Sequence, residues 1–118
     1  MIMKARYIQR GDSIDYTPTT DVTAGDVVRF GSLVGVAKLD IPANTLGALA
    51  LTGVYELAVK TGKTFTAGAP VFYDSTDGTA TTDAPENEDS PIWFFGHTLA
   101  DVKSGDSTVL ARLMTVNY

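Results

Sequence analysis

The stretch "TAGDVVRFGSLVGVA", Thr23 to Ala37, decides the fold. Two apolar, β-branched runs, Asp26–Phe30 and Leu33–Lys38, flank Gly31-Ser32, which is the spacing of a β-hairpin. Thr-Ala-Gly opens the stretch, and the same tripeptide stands at Thr66–Gly68 before "APVFYDSTDGTATT". Glycine takes a positive φ that alanine resists, so it turns the chain just ahead of a strand. "KSGDSTVLARL", Lys103–Leu113, is a looser third version. Two readings of the repeat stay open. Such turns are common before strands, or the chain is internally duplicated. Both suit a small all-β body, either a barrel or a sandwich.

Outward from this stretch the pattern continues. "GVYELAVK", Gly53–Lys60, alternates, with Tyr55, Leu57 and Val59 on one face and Glu56 and Lys60 on the other. Period two with one apolar face predicts a half-buried strand. In "APVFYDSTDGTATT" the pair Asp77-Gly78 predicts a second hairpin with a type I′ turn. "PIWFFGHTLA", Pro91–Ala100, and "STVLARLMTV", Ser107–Val116, read as closing strands. The last carries Val109, Ala111 and Leu113 on one face and Leu110, Arg112, Met114 and Val116 on the other. Two mostly apolar faces predict a central strand or one covered on both sides. "IPANTLGALAL", Ile41–Leu51, reads as a loop entering a strand, with a short helix as the alternative, because Pro42 and Gly47 punctuate it. "KARYIQ", Lys4–Gln9, and "SIDYT", Ser13–Thr17, read as extended segments. Residues 1–16 are expected to form an extended N-terminal arm, and residues 17–118 a single β domain.

The totals narrow the function. With 118 residues, 44% of them hydrophobic, the chain suits one domain with one real core. Its net charge of −5, with the nine basic residues scattered, speaks against a nucleic-acid binder. The absence of cysteine removes disulfides and thiolate chemistry. No apolar run approaches the ~18–20 residues that span a bilayer, so no membrane partner is expected. The polar start of "MIMKARYIQRGDSIDY" is not read as a secretory signal, and synthesis in a cytoplasm is expected.

Candidate chemistry is sparse. His97 is the one histidine, and neither a cysteine nor a serine elbow accompanies it. It reads as a strand-end side chain beside aromatics. Asp83, Glu86, Glu88 and Asp89 crowd "DAPENEDSP", but their spacing does not match an EF-hand loop, and the stretch reads as a solvated loop. "GSLVG", Gly31–Gly35, lacks the Lys-Ser/Thr of a phosphate-binding loop. "RGD" at Arg10–Asp12 is too short to carry an adhesion function. Trp93 and Phe94 are adjacent in a strand and so point to opposite faces. One of them then faces outward as an interface residue, or both faces are core. The arm could add a strand to another chain's sheet edge, through Tyr7, Ile8, Gln9, Arg10 and Asp12. A simple edge strand of its own domain is the other reading. Arg29, Phe30 and Leu33 of the first hairpin are the second candidate contact.

The order of these motifs carries a resemblance. "YIQRGDSIDYT", the Thr23–Ala37 hairpin, the link into "GVYEL", the "TAGAPVFYD" strand and "GDSTVLARL" together resemble the small capsid cement, or head decoration, proteins of tailed bacteriophages. The likeness runs from Tyr7 to Leu113. It implies a structural virion protein without cofactor or catalytic residues. Such a protein binds the outside of the expanded head and bridges neighbouring major capsid subunits. A homo-oligomer, most simply a trimer at local three-fold positions, is implied with it, and so is a place on the outer surface of the virion. The family has also been described as a RecA/RadA-like recombinase; the missing phosphate-binding loop and the short chain speak against that. "DAPENEDSPIWFFGH", Asp83–His97, departs from the family's blander strand and is expected to be a lattice-specific surface. A head-displayed carbohydrate or host-surface binder is the alternative, its site being Trp93 or Phe94 beside the Asp83–Asp89 loop.

Overall fold

A computed structural model describes residues 5–7, 11–31, 33–87 and 89–114. Nine strands follow one another: β1 (Ser13–Tyr16), β2 (Val27–Phe30), β3 (Leu33–Val36), β4 (Gly47–Ala50), β5 (Val54–Ala58), β6 (Pro70–Asp74), β7 (Thr79–Thr81), β8 (Ile92–Thr98) and β9 (Thr108–Leu113). They build two antiparallel sheets, ordered β1-β4-β3-β2 and β5-β9-β8-β6-β7. No helix occurs among the described residues, so Ile41–Leu51 is a loop entering β4. The five-stranded sheet curls until its ends meet, where Val59, just past β5, bridges Ala80 of β7 in parallel.

The Thr-Ala-Gly device is the organising element. At five places among the described residues, a residue in a lone bridge is followed at once by a tight turn whose third residue has positive φ. The turns open at Thr23, Pro42, Lys60, Thr66 and Lys103, and the third residues are Gly25, Asn44, Gly62, Gly68 and Gly105. In each, the N–H of the fourth residue donates to the carbonyl of the first, at 2.8 to 3.2 Å. A type II turn requires this φ, which glycine adopts freely and asparagine tolerates.

Four of these turns form two equivalent pairs. Val22 and Ile41 exchange both backbone hydrogen bonds, at 2.9 and 2.8 Å, and Phe65 and Val102 do the same at 2.9 and 2.8 Å. The Asp40 carboxylate accepts the Ala24 N–H, and Asp101 accepts the equivalent Ala67 N–H, each at 2.8 Å. Gly25 donates to Ala37 as Gly68 donates to Thr98. The two sheets therefore repeat one plan, in which β1, β2, β3 and β4 correspond to β5, β6, β8 and β9. β7 and the loop after it are an insertion into the second copy.

Packing welds the copies together. The main core joins Leu57, Val71, Phe95, Val109, Ala111 and Leu113 of the second sheet to Val34 and Val36 of β3. The other side of the first sheet covers a smaller cluster of Val22, Ala37, Ile41 and Leu49, against which Ile14, Tyr16 and Val28 pack. Burying each of the valine, leucine, isoleucine and phenylalanine side chains among these contributes about 1.5–3 kcal/mol.

Two sequence readings change and two are narrowed. Ser13–Tyr16, counted in the arm, is the edge strand β1, paired with β4 from Ser13↔Ala50 to Tyr16↔Gly47. Ile14 and Tyr16 hold it there, because their side chains join the smaller cluster. Asp77-Gly78 is not a two-residue type I′ turn, since Asp74↔Thr79 closes a four-residue connection. Only Gly78 of the pair has positive φ, and its N–H donates to the Asp74 carbonyl at 2.8 Å. Of the two readings of β9 the first holds: the strand is central, between β5 and β8, and it is covered on one face, since Leu110 is 49% exposed. Finally, Ala5–Tyr7 makes no strand, and the rest of Lys4–Gln9 lies outside the described residues.

Candidate functional site

The first hairpin presents its turn to solvent. Phe30↔Leu33 closes it around Gly31, whose φ of 61° meets the demand of so short a connection. Phe30 is half exposed, and its edge meets the Tyr16 ring at 5.8 Å. The contact ties the hairpin tip to β1. Arg29 folds back, its Nε donating to the Gly31 carbonyl at 2.9 Å. Phe30 and Leu33, opposite each other across the ladder, share one face of the hairpin, and Arg29, opposite Val34, lies on the other.

The arm candidates are placed less completely. Tyr7 is 79% exposed, and Asp12 is exposed at the entry to β1, its carbonyl accepting the Leu51 N–H at 2.8 Å. Ile8, Gln9 and Arg10 lie outside the described residues.

The aromatic run sits within a β-bulge. Val71 pairs with Gly96 and Phe72 with Phe94, so β8 carries one extra residue, Phe95, which is fully buried. Trp93 packs on the main core against Tyr73, at 5.8 Å between rings. Phe94 lies half-buried between Phe72 and His97, each 5.7 Å away. Both rings are thus engaged with aromatic neighbours of their own sheet. His97 is a half-buried ring on β8, paired across the ladder with Arg112.

Charged groups cluster at the seam of the curled sheet. Lys60 Nζ reaches Asp74 at 2.9 Å and Asp77 at 3.0 Å, and Lys63 reaches Asp83 at 3.1 Å. The hydrogen bond from Lys60, then that from the Thr76 N–H, holds the Asp74 carboxyl below its ordinary value of 3.8. The Thr79 hydroxyl and then Lys60 lower Asp77. Lys60 is raised above 10.5 by its bonds to Asp74 and then Asp77. The depressed carboxylates stabilise the fold above pH 3.8 and lose this effect as pH falls through their folded values. The raised ammonium stabilises below pH 10.5 and loses it as pH rises further. The stability gap between the native chain and K60M is therefore expected to be constant between these limits and to close on either side. Urea unfolding across the pH range measures it, and a gap that persists at pH 2 refutes the pairing.

No group of three or more histidine, aspartate or glutamate side chains that could hold a metal occurs among the described residues. Buried side-chain polar atoms there all have partners. What the sequence reading missed is a set of exposed apolar side chains outside its candidates: Leu39, Leu46, Val54, Leu99 and Leu110. Leu39 and Leu46 had a signal, being large apolar residues in a turn-rich loop where no strand needs them.

A family model described as phage cement protein matches residues 8–113. No curated protein and no solved structure matches. The chain belongs to the phage cement protein family, whose members are structural proteins associated with the phage capsid.

Proposed function

Starting from a capsid-associated structural protein, we propose that this chain binds the outside of the expanded phage head and cements neighbouring major capsid subunits as a homo-oligomer, a trimer at local three-fold positions. The family match over nearly the whole chain carries this reading. The fold supports it. Two packed sheets with two cores make a small all-β body, and the first hairpin offers an exposed contact in Phe30. Residues 1–10 add Lys4, Arg6 and Arg10 with no acidic residue among them. We take this stretch, with Tyr7, Ile8, Gln9 and Arg10 and continuing to Asp12, as the arm that reaches a capsid subunit. Arg29, Phe30 and Leu33 are the second contact, and Trp93 and Phe94 belong to the Asp83–His97 stretch that we take as the lattice-specific surface.

Cementing is a linkage effect. A protein that binds only the expanded shell stabilises that state by its differential affinity, multiplied over many copies. The test is co-sedimentation of the purified protein with cement-free heads, both unexpanded and expanded. Saturable binding to expanded shells alone, at a fixed ratio to the major capsid protein, is expected. Equal binding to both forms removes the cementing role.

A further inference from the structure

Seven large apolar side chains stand exposed among the described residues, and five of them fall on two surfaces in corresponding places of the two sheets. On the first sheet, Leu39 and Leu46 flank an open groove of about 570 Å³. Its floor is made of small side chains, Ser13 on β1 and Ala48 and Ala50 on β4. On the second sheet, the corresponding strands β5 and β9 carry large side chains outward. Val54 pairs with Arg112, as Ser13 pairs with Ala50 in the first copy, and Glu56 pairs with Leu110. Leu99 stands beside this row, its N–H donating to the Leu110 carbonyl at 3.0 Å. Val54, Leu99 and Leu110 are each about half exposed. One copy of the repeated plan thus presents a trough and the other a ridge.

We propose that the ridge of one molecule seats in the trough of the next. The fit is chemical as well as steric. Seating removes Val54, Leu99 and Leu110 from water together with Leu39 and Leu46, and apolar burial drives association. The charges are complementary: Arg112 on the ridge has Asp12 and Asp40 to meet in the trough, and Glu56 has Lys38. The two surfaces differ, so the contact is heterologous, and the three-fold rotation of the proposed trimer closes it into a ring. The inference deepens the homo-oligomer of the proposed function and rests on it in taking copies to stand side by side about that axis.

The chain contains no cysteine, so engineered cysteines report the contact without background. A48C and L110C are two single variants at exposed positions of the full chain. They are mixed under mild oxidation, in solution and on cement-free expanded shells, with circular dichroism confirming that each is folded. A disulfide needs Cα atoms within about 7 Å, so only a seated pair forms it. The mixture is expected to give a disulfide dimer that neither variant gives alone, and the double variant A48C/L110C a covalently closed ring. Crosslinking of the mixture on shells alone also supports the contact, at the higher local concentration there. Self-crosslinking of either variant as strong as the mixture overturns it in favour of a two-fold contact. No crosslink in either setting overturns it outright. Shell binding without the mixed crosslink refutes the contact and leaves the cement reading standing. The crosslink without shell binding does the reverse.

Discussion

Replacing Gly96 by alanine is expected to leave the chain unfolded or barely folded. Gly96 lies on β8, paired with Val71 of β6 on one side and Leu113 of β9 on the other. A Cβ at this position would overlap the carbonyl oxygen of Arg112, and the next nearest atoms are also backbone: the Arg112 carbonyl carbon at 2.9 Å and the Met114 nitrogen at 3.1 Å. No side chain can swing aside. The clash can be relieved only by pushing β8 off β9, and that strand pair is held by the Met114 N–H donating to the Phe95 carbonyl at 2.9 Å. Phe95, next in line, is the fully buried ring at the centre of the main core, so the displacement would unpack the core as well. Overpacking that side chains can absorb costs about 1–3 kcal/mol, and a backbone clash exceeds it. A loss of about 4 kcal/mol or more is expected, against a total stability of about 5–15 kcal/mol for a domain. Gly11 is the control, since its Cβ would meet nothing within 4 Å and its φ is not in the left-handed region. G11A should change stability by no more than about 0.5 kcal/mol. Thermal unfolding of both variants decides the matter, and a G96A chain as stable as G11A would show that β8 and β9 do not approach this closely.

The same glycine marks how far the sequence could be read. The hairpin of Thr23–Ala37 and the alternation of Gly53–Lys60 were legible because local spacing alone determines them: two residues for a turn, period two for a half-buried face. The Thr-Ala-Gly turns were legible as turns for the same reason. Their use in matched pairs was not. Val22 finds Ile41, and Phe65 finds Val102, across different intervals of chain, because β7 and its loop lengthen the second copy. Corresponding positions also carry different side chains. Gly35 matches Gly96, both pressed against the neighbouring strand, but Ala48 stands where the second copy has Leu110. Duplication is thus kept in backbone hydrogen bonds and lost in composition.

What the patterns left open has one physical source. Strand patterns say which residues share a face, but not whether anything covers it. β9 has two apolar rows, and only Val109, Ala111 and Leu113 are covered. β1 looked polar enough for an arm, yet Ile14 and Tyr16 suffice to dock it. The candidate contacts were legible by position only. Phe30 stands at an exposed turn and Tyr7 on an exposed stretch, while the groove beside Leu39 and Leu46 exists only once β1 is laid against β4.

Removing residues 1–10 is expected to abolish binding to expanded heads and to leave the body folded. The cut must stop there. Asp12 already serves the body, because its carbonyl accepts the Leu51 N–H, and β1 begins at Ser13. The removed stretch differs electrically from everything after it. It holds Lys4, Arg6 and Arg10, whereas all fourteen acidic residues lie beyond residue 10 with only six of the nine basic ones. The body alone is strongly acidic, and in the proposed reading residues 1–10 are its cationic handle. An arm that adds even a short strand to a partner's sheet edge forms about four backbone hydrogen bonds, each contributing ~1 kcal/mol net. Losing about 3 kcal/mol of that weakens each copy's binding by about two orders of magnitude, enough to clear the shell at micromolar protein. Stability should fall by no more than about 1 kcal/mol, since the deleted segment precedes the first strand of the body. Salt separates the parts of the interaction. If the three cations meet carboxylates of the partner, raising ionic strength should weaken the full-length chain toward the truncated one and barely affect the truncated one. A truncated protein that still saturates expanded shells would place the contact in the body, and the hairpin residues Arg29, Phe30 and Leu33 would be the first to mutate.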